Sequence, residues 1–392
     1  VKRAGVKRGG AALVAAALVT GCSPTDPTAP VSQTSAHPTP ASTPPTTTAH
    51  VPTETPSAAP TQAPAPEFDV RADAAHTLMV GVKDYADART ALAQGVGGIF
   101  IGSWTDPGLV AGDTHTIATL REEFPRPFQV AIDAEGGRVV RQSGLFGALP
   151  APRVMASQWI PEAVQGAAYD LGTRLRAAGI TVDFAPVVDL DGGPAGAAIG
   201  DRSFSEDPQV AAVYATAFGQ GLLDAGVQPV FKHFPGHGHA SGDTHTGEVT
   251  TPPLAQLRAA DLLPYGQVLR LPGAAAMVGH MIVPDFGERL PSSLNPEVYG
   301  LLARGDYPGG APFDGLVYTD DLSGMKAISA TLPAGQAACE AVIAGADVAL
   351  WISTDQVADA TDCLVGAVES GRLDAARLHA SAEKVRAAAA LR

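Results

Sequence analysis

The run Gly226-Val227-Gln228-Pro229-Val230-Phe231-Lys232-His233-Phe234-Pro235-Gly236-His237-Gly238-His239-Ala240-Ser241-Gly242-Asp243-Thr244-His245 changes character in its middle. Its first six residues read as a short buried strand. Lys232 and His233 then leave a sheet at its carboxyl end, where ligands of parallel α/β folds collect. Four of the chain's ten histidines lie in the fourteen residues from Lys232 onward, beside a carboxylate and three glycines, so the segment is rich in groups that titrate or bind. Gly236, Gly238 and Gly242 permit backbone conformations that a side chain forbids, which predicts a mobile loop, open at rest. Asp243 stands two residues before His245, close enough to orient and charge-stabilise an imidazole that works as general acid or base. The plainer alternative is a solvated turn that happens to be rich in histidine.

Outward from this stretch the chain alternates apolar β-type runs with Ala- and Leu-rich helical ones. The candidate strands are 77–82, 97–101, 128–132, 181–185, 229–231, 275–278, 315–318 and 347–351, with helical stretches such as 85–94, 161–178, 207–225 and 331–344 between them. Eight strands separated by helices predict an α/β fold, a (β/α)8 TIM barrel forming one catalytic domain over 67–392. An open doubly wound sheet competes, but no GxGxxG follows an early strand. A barrel places its strand ends around one mouth. Five such ends are polar: Asp133-Ala134-Glu135-Gly136-Gly137-Arg138 with Arg141, Pro186-Val187-Val188-Asp189, Lys232-His233, Gly279-His280-Met281, and Thr319-Asp320-Asp321-Leu322. Buried charges without partners are costly, so these groups more plausibly line a polar cavity. Taken singly, Asp189 and Asp321 read equally well as helix N-caps.

The N-terminal part has another composition. Lys2, Arg3, Lys7 and Arg8 precede an apolar run, 11–20, too short to span a bilayer, and Val19-Thr20-Gly21-Cys22 follows. This predicts a secretory signal over 1–22 whose end resembles the lipobox of bacterial lipoproteins, with Cys22 lipidated. Residues 23–66 hold twelve prolines, eleven threonines and only Asp26 and Glu54 as charges, so they cannot build a core and read as a disordered tether. The expected location is outside the cell membrane, lipid-anchored and facing the cell wall. Only Cys339 and Cys363 remain, and in an exported domain they are expected to form a disulfide; two buried thiols in neighbouring helices are the alternative. The net charge of −14 leaves no basic face for nucleic acid.

A carboxylate at one strand end (Asp320) facing a mobile imidazole with its own carboxylate (His245, Asp243) is what acetal cleavage needs. One group attacks or stabilises the anomeric carbon and the other protonates the leaving oxygen. Taken together, the Lys232–His245 segment, Asp133-x-Glu135-Gly136-Gly137-Arg138, Ile199-Gly200-Asp201-Arg202-Ser203-Phe204 and Thr319-Asp320-Asp321-Leu322 resemble glycoside hydrolase family 3. More narrowly, they are similar to its single-domain β-N-acetylglucosaminidase branch, in the exported lipoprotein form seen in actinobacteria. The resemblance spans roughly residues 75–350 with four motifs in order. It implies a retaining mechanism with Asp320 as nucleophile, His245 as general acid and then base, and Asp243 as its partner. It also implies a sugar site of Asp133, Arg141, Arg202, Lys232 and His233, and no second α/β domain. The implied ligand is an N-acetylglucosamine-containing glycan or muropeptide bound by a monomer, with no cofactor and no metal.

Four other readings compete. His237-x-His239 with Asp243 and His245 superficially resembles a zinc-hydrolase pattern, but the spacing departs from it on both sides of the aspartate, and further ligands from distant strands would be needed. A non-catalytic wall-binding lipoprotein would not need Asp320, Asp243 and His245 together. A β-glucosidase or a glycoside phosphorylase of the same family stays open. An imidazole, neutral when it acts as base, tolerates an anionic acceptor better than a glutamate would. The Gly- and Ala-rich segment 190–198 is expected to shape the rim and with it the aglycone preference.

Overall fold

The computed structural model describes residues 68–390. The expected lipobox at Cys22, the signal segment 1–22 and the tether 23–66 lie outside the described residues. One parallel sheet is built from β1 Leu78–Val82, β2 Gly98–Ile101, β3 Gln129–Ile132, β4 Val182–Asp183, β5 Gln228–Phe234, β6 Ala275–Val278, β7 Val317–Thr319 and β8 Ala349–Trp351. Neighbours follow chain order, β1 pairs with β8, and a parallel bridge from Tyr318 to Val348 brings β7 against β8. Helices lie between successive strands, so the fold is the (β/α)8 barrel that the strand pattern predicts.

Period-two alternation separates two apolar layers. Met79, Phe100, Ala131, Met277, Tyr318 and Leu350 pack inside the barrel. Their strand neighbours Val80, Ile99, Val130, Ala276, Val317 and Trp351 face the surrounding helices. At the amino end of the strands the barrel is plugged by polar contacts: the Tyr318 hydroxyl donates to Gln129 Oε1 at 3.0 Å and lies 3.3 Å from Gln228 Oε1. Helix starts are fixed by side-chain caps. Asp84 accepts from Asp87 N, and Asp207 accepts from Gln209 N and Val210 N, each cap contributing about 1 kcal/mol.

Only β6 keeps both expected bounds; the others shift by one to three residues, and two of these shifts bear on the site. β4 holds only Val182–Asp183, because Pro186 has no N–H with which to continue the ladder. β5 runs further than expected: Val187 bridges Lys232 and Val188 N donates to the Lys232 carbonyl, so Lys232 and His233 are late strand residues instead of the first of a loop. The Lys232–His233 peptide is cis.

The helix Val70–His76 packs against the last helix, Ala375–Ala390. Asp73 accepts from Arg386 at 2.7 Å and pairs with His379 at 2.8 Å, and Phe68 stacks on the His379 ring. Cys339, on the helix Ala334–Ala344, is bonded to Cys363, on Val357–Glu369, with an S–S distance of 2.09 Å.

Candidate active site

The carboxyl ends of β3, β5 and β7 and the segments after β3, β4 and β5 surround a cavity of about 320 Å³. All eight residues expected to act or bind there line it: Asp133, Arg141, Arg202, Lys232, His233, Asp243, His245 and Asp320. The structure therefore gathers into one place groups scattered over almost two hundred residues of sequence.

Its floor is a buried ionic cluster. Lys232 Nζ lies 2.8 Å from Asp133 Oδ1 and 2.7 Å from Glu135 Oε1, and Arg202 donates to both Glu135 oxygens at 2.7 and 2.8 Å. Burial alone would raise the Glu135 carboxyl, but the guanidinium of Arg202 and the ammonium of Lys232 outweigh it and hold it well below the usual range. Burial opposes charge on Lys232 too, and Asp133 and Glu135 overcome it, so its affinity for a proton is raised. Glu135 belongs to a small hairpin, Ala134–Gly136 with Val139–Val140, which turns the chain back so that Arg141 N donates to the Asp133 carbonyl. Arg141 Nε then stands 3.5 Å from Asp133 Oδ2.

Asp320, directly after β7, points into the cavity with its Oδ2 3.8 Å from His233 Nε2. Burial pushes its carboxyl upward, but His233 and Lys232 hold it down, at about 2. The backbone N–H of Asp321 donates to its Oδ1 at 2.9 Å. His233 is oriented from behind by Asp189, which lies 2.6 Å from Nδ1 and also accepts the backbone N–H groups of His233 and His237. The capping alternative for Asp189 is thereby corrected: its carboxylate turns inward to three donors, and the next long helix is capped by Asp207. Asp321 folds an Asx turn onto Ser323 and Gly324 instead of capping the helix Lys326–Ser329.

His245 lies on the loop after β5, its side chain 60% exposed, with Nδ1 2.7 Å from Asp243 Oδ1. The same oxygen accepts the His245 backbone N–H at 3.0 Å. Burial raises the Asp243 carboxyl, and these two bonds with the nearby imidazoles outweigh it, leaving it below its ordinary value. Thr244, between the two, is buried: its carbonyl accepts Ala327 N at 3.2 Å and its hydroxyl meets Met325 Sδ at 3.5 Å. Two of the loop's glycines serve close packing. A Cβ on Gly238 would stand 1.8 Å from the Leu190 carbonyl oxygen, and one on Gly236, whose φ is +129°, would meet Asp261.

Glu135, Asp189 and His280 were legible only as polar strand ends without assigned roles, and His237 only as a loop histidine. His280 Nε2 donates to the Asp321 carbonyl at 2.8 Å while Nδ1 accepts from Ser293, and burial lowers its pKa, so a neutral imidazole braces the segment carrying Asp320. The signal was present for three of them as polar residues near strand ends, but partners decide such roles and partners lie far along the chain. The imidazoles of His239 and His245 are held by Asp261 and Asp243, while His237 gives its backbone N–H to Asp189 and its ring Nε2 lies 3.5 Å from Thr244 Oγ1. The rim segment 190–202 is held by two arginines: Arg138 donates to the carbonyls of Ala195, Ala197 and Ile199 and pairs with Asp201, and Arg153 donates to those of Asp191, Gly193 and Gly200.

A barrel whose mouth holds a low-pKa carboxylate, an imidazole–carboxylate pair and a sugar-sized ionic floor is the architecture of a glycoside hydrolase. Comparison with known proteins agrees. The family model described as the glycosyl hydrolase family 3 N terminal domain matches residues 70–388, and the chain belongs to that family. It is 44% identical over 317 residues to beta-hexosaminidase LpqI of Mycobacterium tuberculosis, covering 80% of this chain and 81% of that one. Among solved structures, a family 3 glycosyl hydrolase from Mycobacterium smegmatis superposes with a TM-score of 0.79 at 48% identity, over 82% of this chain and 97% of that one. A family 3 β-N-acetylglucosaminidase from Paenibacillus gives 0.75 at 31% identity, over 83% and 63%.

Proposed function

We propose that this glycoside hydrolase is a retaining β-N-acetylglucosaminidase that removes non-reducing terminal N-acetylglucosamine from peptidoglycan-derived fragments. The observation that supports it most is that Asp320 and the Asp243–His245 pair face one cavity above the Lys232, Arg202, Glu135 and Asp133 cluster. The names of the similar proteins, a beta-hexosaminidase and a β-N-acetylglucosaminidase, support the sugar.

The cluster, with Arg141 and His233, binds the hydroxyls of the terminal sugar. An Asp320 oxygen attacks the anomeric carbon while the glycosidic bond breaks and His245 gives its proton to the departing oxygen. Asp243 balances the imidazolium that carries that proton. Neutral His245 then takes a proton from water, the water oxygen attacks the anomeric carbon, and Asp320 leaves as a carboxylate. With its carboxyl near 2, Asp320 is ionised and nucleophilic across the physiological range. The chain acts as an exported monomer whose Cys22 lipid holds it to the membrane, with 23–66 as spacer to the wall.

The test is hydrolysis of an aryl β-N-acetylglucosaminide against the matching aryl β-glucoside, with and without phosphate, by the wild type and Asp320→Asn. We expect turnover of the acetamido sugar, a phosphate-independent product, and a loss of at least about 10³-fold in the variant. Preference for the glucoside would overturn the substrate, and a sugar phosphate as product would overturn hydrolysis. Full activity in the variant would remove Asp320 as nucleophile.

A further inference from the structure

A second lobe of about 220 Å³ adjoins the catalytic cavity and shares Asp133, Arg141, His245 and Asp320 with it, but its remaining wall is largely apolar. Phe100, Phe184 and Leu350 form the depth of that wall, and Trp104 lies at its edge, 44% exposed. A half-exposed indole is unusual beside a polar site, and its support is rigid. Gly102 N donates to Thr105 Oγ1, which donates to the Val82 carbonyl, and Gln142 Nε2 donates to the carbonyls of Gly102 and Thr105 at 2.9 Å each. The ring lies flush on Gly102, where a Cβ would stand 2.4 Å from it, and tilts against Phe100 with 6.0 Å between centroids. An aromatic face fixed in this way meets a ligand with little ordering cost.

The charged floor that suits the terminal sugar's hydroxyls belongs to the larger lobe, since Lys232, Arg202 and Glu135 line only that one. His245, which must reach the leaving oxygen, lines both, as do Asp320, Asp133 and Arg141, so the reacting bond sits where the lobes meet. The chemical group beyond that oxygen therefore falls on the side of Trp104. We propose that Trp104 is the stacking platform for the first aglycone residue, taking the apolar face of a pyranose or aryl ring, and so determines which leaving groups are favoured. This rests on the glycosidase reading above.

The test compares kcat/KM for a β-linked N-acetylglucosamine disaccharide with that for methyl β-N-acetylglucosaminide, which has no aglycone ring, in wild type, Trp104→Ala and Trp104→Phe. A ratio of the two is insensitive to how much of a variant folds. We expect Trp104→Ala to lower the disaccharide-to-methyl ratio about tenfold, through KM more than kcat, and Trp104→Phe to restore most of it. An unmoved ratio overturns the proposal and leaves the function standing. A wild type that cleaves neither sugar overturns the function, and this proposal with it. Should Trp104→Ala yield no active protein, tryptophan fluorescence of Asp320→Asn with the disaccharide decides. Quenching lost on adding Trp104→Phe supports the platform, and quenching retained, or absent from Asp320→Asn itself, removes it.

Discussion

Asp183 is the residue at which the barrel's polar mouth conflicts with its apolar interior. Its Oδ1 accepts Ala134 N at 2.9 Å, while Oδ2 has no hydrogen-bond partner among the described residues. Burial raises its carboxyl to about 8, Lys232 offsetting this only in part and Asp133 and Glu135 adding to it. The folded protein thus holds a proton that the unfolded chain releases near pH 4. Stability falls as pH rises through the window from about 4 to about 8 and is level above it. Asp183→Asn keeps the acceptor for Ala134 and removes the titration. Melting temperature measured from pH 5 to 8 should therefore fall less steeply for the variant than for the wild type, and parallel curves would show that Asp183 is ionised in the fold. Asp320 behaves in the opposite way: its carboxyl, held near 2, does not change charge anywhere in that window.

At the scale of elements, the loops over the barrel mouth are fixed by side chains from other loops. The segment 190–202 has little apolar surface of its own, and its shape comes from the arginine donors of Arg138 and Arg153 to its carbonyls. Arg138→Met keeps the aliphatic stem and removes the donors. We expect KM for N-acetylglucosaminides to rise about 3- to 10-fold, each lost bond to a carbonyl being worth on the order of 1 kcal/mol, with kcat changed less. A fall in kcat alone would place the effect on the chemistry and contradict a rim role. The same loops mark the limit of what sequence reveals. All eight strands were legible because a buried parallel strand is a short apolar run between helices, and the site motifs were legible because five polar strand ends at once exceed what capping explains. What Asp189 and Glu135 do was not legible. Asp189 reads equally well as a cap and Glu135 only as one more charge at a polar strand end, until the chain is closed and brings His233 and Arg202 beside them. Gly238 misled in the same way, since its nearest neighbour, Leu190, is remote in sequence.

For the whole molecule, the barrel is secured at two places, one between two late helices and one where the earliest described elements meet the latest. The bond between Cys339 and Cys363 closes a loop with a sequence separation of 24 residues, which by chain entropy stabilises the fold by about 3 kcal/mol. Cys339→Ala with Cys363→Ala should lower the denaturant midpoint accordingly while the N-acetylglucosaminide KM stays put, and an equal midpoint would show that the reduced chain loses nothing. The second place is the seam where β1 pairs with β8 and Asp73 is held by Arg386 and His379. Its consequence concerns time. On a ribosome β1 emerges early and its partner β8 almost last, so one edge of the growing sheet stays unpaired during most of translation, and an unpaired strand edge is where chains adhere to one another. The helix Val70–His76 likewise waits for the last before Asp73 finds Arg386 and His379. Truncation within the final helix would therefore take Arg386 from Asp73 and uncover part of the helix Val70–His76, the condition of the unfinished chain.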